Sequence, residues 1–111
     1  MWSKPMNIIV RQIHKHRVVR GAHLLDRYDP GWADKINLTI FDISSAQRCI
    51  VGQLYPTYLQ GLGSLRLFLH KDIYGETYGF NYDNAHKENS EIRDLLNTCW
   101  RKEVKTRQTK S

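Results

Sequence analysis

The stretch from Ser90 to Lys105 constrains the fold more than any other. Ile92, Leu95, Leu96, Cys99, Trp100 and Val104 recur at intervals of three and four, so on a helix they form one continuous apolar stripe. Ser90 offers an N-cap, while Asn97, Arg101, Lys102 and Lys105 fall mostly off the stripe. Such a stripe must be buried, and a chain of 111 residues has room for one core. An apolar fraction of 41%, with twelve aromatic residues, is enough to build it.

The partners of that helix lie earlier in the chain. From Asn7 to about Tyr28, Ile9, Ile13, Val18, Ala22 and Leu25 fit a helical period better than strict alternation, with Gly21 as either a close-packing point or a weak one. Its first residues, "MNIIV", also suit a short strand. Asp29 as N-cap and Pro30 at the first helical position predict a short helix carrying Trp32 and Ile36. "NLTIFDIS" alternates and predicts a short extended segment. Ser44 or Ser45 is placed to cap a helix containing Cys49, Ile50 and Leu54, which Pro56 ends near Tyr55. A further helix with a loose first turn runs from Tyr58 toward Ile73, broken by Gly61 and Gly63, and the Gly-, Asn- and Tyr-rich segment after it predicts a turn or short hairpin. The expected fold class is therefore mainly α: a small single-domain helical fold over residues 1–111 with room for a short two-stranded β element. Residues 1–6 and 106–111 are expected to be flexible ends, and Trp32, Leu54, Leu95 and Trp100 to lie in the core.

The stretch "GAHLLDRYDPGWADKINLTIFDISSAQRCIVGQLYPTYLQGL", followed by "YGFNYD" and a last helix with Trp100 and Arg101, resembles a group of small uncharacterised proteins of actinobacteria and their phages. Those proteins look like GAxLLD, then PGW, a serine pair, CxxCVLGQLY and a segment ending in GF. The similarity spans roughly residues 20 to 105. It implies a phage or prophage origin and brings no activity with it. Where the group has its first cysteine, this chain has Ala46, so a function shared with the group would not depend on a CxxC pair.

Charge is the most informative compositional feature. The net charge is +6, but residues 1–25 carry Lys4, Arg11, Lys15, Arg17 and Arg20 with no carboxylate, and residues 99–111 carry five cations against Glu103. The middle of the chain is therefore mildly acidic. Basic ends of this kind fit either a polyanionic partner or a simple solubilising role. If the first and last helices pack side by side, Arg11, Lys15, Arg17, Arg20, Arg101, Lys102 and Lys105 form one basic face, and these are the expected nucleic-acid or partner contacts. Tyr74, Tyr78, Phe80 and Tyr82 could stack on bases or anchor a hairpin to the core.

Other chemistries find less support. Cys49 lies beside Arg48 near a helix start, but no histidine can be placed beside it, so a packing role is expected rather than catalysis. His14 and His16 project from opposite sides of a helix and are poorly arranged to share a metal. No phosphate-cradling glycine spacing is present, and the carboxylates are not paired in an implied apolar pocket. No apolar run is long enough for a membrane span or a signal peptide. The expectation is a cytoplasmic, non-enzymatic protein without cofactor, bound to nucleic acid or a nucleoprotein complex. Its competitor is an inhibitor or modulator of a host protein, such as a component of host defence.

Overall fold

The computed structural model describes residues 8–67, 75–81 and 90–108. Helix α1 (Ile8–Tyr28) and the final helix α4 (Ser90–Arg107) are the two long elements. Between them come a 3-10 turn at Trp32–Lys35, the short helices α2 (Ile50–Leu54) and α3 (Tyr58–Ser64), and a second 3-10 turn at Glu76–Tyr78. No strand occurs among the described residues, so the fold is mainly helical.

The stripe of α4 is buried as its period predicts. Leu96, Trp100 and Val104 are fully enclosed, and Ile92 and Cys99 pack against the same cluster. Helix α1 lies alongside in the same direction, since Gly21 meets Trp100 and Asp26 meets Arg107 further along both helices. Gly21 permits this approach. A Cβ there would strike the Tyr78 carbonyl and touch the Trp100 indole at 3.0 Å.

Trp100 is the centre of the core. Its ring stacks on Phe80 at 5.3 Å and meets Trp32 edge-on at 5.9 Å. Its indole N–H donates to the Gly79 carbonyl at 2.7 Å, satisfying a polar atom that would otherwise be costly to bury. Gly79, with φ at +72°, carries the chain past Val18 so closely that a side chain would not fit. Trp32 and Trp100, expected in the core, are fully buried there, with Leu95 nearly so and Leu54 packed partly against it.

Several local expectations are corrected. The turn at Trp32 begins at Gly31, in the left-handed region, because the Asp29 carboxylate is engaged by Lys35 and by the Tyr55 hydroxyl instead of capping. No strand forms at the expected extended segment 37–44, where turns occupy 38–40 and 43–44. Its backbone groups bond to distant side chains: Asn37 N–H to Gln53, Ile43 N–H to Asn97, and the Leu38 and Phe41 carbonyls to Arg101. The serine pair does not cap α2. The Asp42 carboxylate accepts from the Ser44 N–H and hydroxyl, Ser45 Oγ accepts from Arg48 N–H, and the chain straightens again at Cys49. Cys49 is itself the N-cap, its Sγ accepting from Gly52 N–H at 3.3 Å.

Pro56 follows α2 as expected, and Thr57 caps α3 through Gln60 N–H at 3.1 Å. Helix α3 stops at Ser64, where Leu65 leaves the helical region and Arg66 adopts φ +59°. The expected continuation toward Ile73 lies largely outside the described residues, as do Tyr74 and Tyr82. Helix α4 continues through Thr106 and Arg107, and Gln108 donates to the carbonyls of Ala33 and Ile36, so the expected flexible tail does not begin at residue 106.

A clasp closes the far end of the long helices. Arg107 holds Asp26 in a bidentate pair at 2.9 and 3.0 Å and reaches Glu103 at 3.0 Å, with its guanidinium over the Trp32 ring. Trp32 Nε1 also donates to Asp26. These bonds, the one from Arg107 first, hold the Asp26 carboxyl below its ordinary value of 3.8.

Two outcomes follow from this packing. Trp100→Phe keeps a ring but orphans the Gly79 carbonyl, and is expected to cost about 1–3 kcal/mol in urea unfolding; an unchanged midpoint would remove Trp100 from its central place. The Asp26 pair stabilises the fold fully above the unfolded carboxylate value and loses that contribution as pH falls through the lower folded value. Asp26→Asn therefore lowers stability at neutral pH and flattens its decline below about pH 4. Parallel acid-unfolding curves for the two proteins would contradict this.

Candidate functional site

The seven cations expected on one face do not share one role. Arg101 leaves the set first. Half-buried, it donates to the carbonyls of Leu38 at 2.8 Å and Phe41 at 3.0 Å and lies over the Phe41 ring. Its planar fork ties the 36–43 segment to α4, so it serves the fold. Arg20 is exposed but sits over the half-buried Tyr78 ring at 5.3 Å.

Three others converge. The positive charges of Lys15, Lys102 and Arg11 all act on the Cys99 thiol, where they oppose the upward push of its burial. Cys99 thus marks the seam at which the basic sides of α1 and α4 meet. Glu103 also acts there, but its carboxylate is held by Arg107. Arg11, Lys15 and Lys102 are exposed, and among the described residues none forms an ion pair. Arg17 is half-buried one turn along from His14, whose pKa is lowered by burial first and by Arg17 second. Lys105 is exposed about 60° further round α4 than Lys102 and extends the basic surface away from α1.

Aromatic stacking on bases does not extend to Phe80, which is 1% exposed and stacked on Trp100. A cleft of about 250 Å³ opens beside α2, walled by Ile43, Phe80 and Tyr58, with Ser44, Ser45 and Cys49 along one side. Among the described residues no histidine lines it, and none of them places an imidazole base beside the hydroxyls or the thiol. Burial pushes the Cys49 thiol up, and its Sγ is engaged by the Gly52 N–H. At neutral pH it is a protonated capping atom, and a nucleophile is not supported. The second ionisable group near α2, Tyr55, is pushed up to about 12 by burial and by Asp29.

Cys49 and Cys99 are both free. Among the described residues, no group of three histidine, cysteine or acidic side chains is placed to hold a metal, and no helix is long and apolar enough to cross a membrane. Comparison with models of known protein families, with curated proteins and with solved structures finds no match for this chain.

The convergence at Cys99 can be read chemically. In the native protein, iodoacetamide should label Cys99 and leave Cys49 unmodified until unfolding. Lys15→Gln and Lys102→Gln should each slow Cys99 labelling, because each removes a charge that favours the thiolate. Equal rates in all three proteins would separate these lysines from the thiol.

Proposed function

We propose that this chain is a non-enzymatic basic binding module of phage or prophage type, and that its ligand is nucleic acid or a nucleoprotein complex. The observation that supports this reading best is that Arg11 and Lys15 of α1 and Lys102 of α4, on helices packed side by side, are exposed and form no ion pair among the described residues. Cations gathered from two elements, with the nearby Glu103 carboxylate tied to Arg107, leave positive charge that makes no ion pair among the described residues. Phosphates along a nucleic-acid backbone are the natural counter-charge, and the release of their counterions drives association. Arg17 and Lys105 flank the cluster. The phage or prophage character rests on the resemblance carried by residues 20 to 105.

A second reading, modulation of a host protein, is favoured by Ile8, Ile9 and Ile13, which stand exposed beside the same cations. Salt separates the two. Binding to phosphates weakens steeply with salt, with a log–log slope near −0.9 for each phosphate contacted on a duplex, whereas an apolar interface responds little.

Fluorescence anisotropy with labelled duplex and single-stranded DNA is the direct test. A contact with about three to five phosphates predicts a slope of roughly −2.7 to −4.5 on a duplex. Lys15→Glu combined with Lys102→Glu should weaken binding by at least about tenfold and leave the circular dichroism spectrum unchanged. Absence of binding to either DNA at low salt would overturn the reading.

A further inference from the structure

The first half of α1 is built differently from the second. Every position from Ile8 to Arg17 is exposed or half-buried, and the first buried side chain is Val18. Ile8 is 71% exposed, Ile9 68% and Ile13 45%. This span rises about 15 Å and carries no carboxylate.

Its side chains are ordered around the axis. At about 100° per residue, Lys15 and Arg17 stand about 200° apart across the outward side of the helix, and Arg11 lies about 40° beyond Lys15, toward the side of Val18 and Ala22. Gln12, His16, Ile9 and Ile13 fill the arc between these flanks, on the side away from the buried Val18 and Ala22. Gln12 and His16, four apart, are both exposed. Cations therefore border a strip of hydrogen-bonding and apolar groups on both sides.

We infer that residues 8–17 of α1 enter the major groove of duplex DNA, with Gln12 and His16 facing base edges and Ile9 and Ile13 facing thymine methyl groups. The inference rests on the nucleic-acid reading above and adds to it the form of the ligand and the residues that read it. A helix about 10–12 Å across fits a groove about 12 Å wide, whose walls are two phosphate backbones. Cations on two flanks match two walls. A flat anionic surface would meet one flank only. Lys15 faces one backbone and Arg17 the other, with Arg11 behind Lys15. Between the walls, an amide such as that of Gln12 pairs with adenine, and isoleucine methyls pack on thymine. The deep, narrow major groove of A-form RNA admits no such helix. A second copy of this chain docked on the same strip would bring Lys15 and Arg17 against like charges.

Selection from a random-sequence duplex DNA library by the full chain tests this. The wild-type protein should enrich a sequence motif. The double variant Gln12→Ala, His16→Ala should keep its affinity for unselected duplex DNA within about threefold and bind the selected duplex roughly tenfold or more weakly. A duplex RNA of the selected sequence should also bind roughly tenfold or more weakly. Both substitutions are at exposed positions, and circular dichroism checks that the fold is kept. Binding to duplex DNA without enrichment, enrichment untouched by the double variant, or equal affinity for the RNA duplex would each overturn the groove assignment while leaving a nucleic-acid role standing. Loss of all binding at low salt, for wild type as well, would overturn both. Sedimentation without DNA should show a monomer; a dimer broken by Ile9→Ser with Ile13→Ser would give the isoleucines to self-association and overturn the assignment.

Discussion

The hydrogen bond from the Trp100 indole to the Gly79 carbonyl is the contact on which the other packing depends. It joins the end of the Glu76–Tyr78 turn to the middle of α4, and Gly79 in turn is pressed against Val18 of α1. A single buried donor therefore fixes three elements relative to one another. The aromatic contacts of Trp100 with Phe80 and Trp32 then bring in the segments on either side. The two glycines that serve this arrangement do so for separate reasons. Gly21 leaves room for the indole, whereas Gly79 supplies a left-handed turn as well as space.

Around this centre the cations divide their work. Arg101 and Arg107 have planar heads that can satisfy two acceptors at once, and both are committed to the fold, one to backbone carbonyls and the other to carboxylates. The lysines Lys15 and Lys102 carry compact charges that make no ion pair among the described residues and remain exposed. The same net charge thus contains a structural part and a part left at the surface. The second is what an anionic partner can reach.

The sequence was most readable where a periodic stripe met a single core. The packed half of α1, the buried face of α4 and the break at Pro56 all followed from spacing and from proline chemistry. It was least readable between Asp29 and Cys49, where the backbone is satisfied by Gln53, Asn97 and Arg101 from far along the chain. Local pattern carries no trace of such bonds, so an alternating run looked extended and a serine pair looked like a cap. The basic face was legible as composition but not as allocation. Arg101 lies off the apolar stripe by register, yet its long side chain reaches back to carbonyls that only the tertiary fold brings near. The exposure of Ile9 and Ile13 was hidden for the opposite reason, because their spacing continues the core stripe past the point where the core ends.

That overshoot sets the character of the first half of α1. A helical span of this length is marginal in water by itself, and here it is propagated from the turns that Val18, Ala22 and Leu25 hold in the core. Its first turn has no acidic residue, and Arg11 brings positive charge toward the positive end of the helix dipole. The free half is thus helical by extension while its own electrostatics oppose it. Phosphates along its flanks would relieve that opposition by neutralising the side chains. On the nucleic-acid reading proposed above, binding and helix stability would be coupled in one element: the packed half sets the direction of the helix, and an anionic ligand would stabilise the half that packing leaves bare.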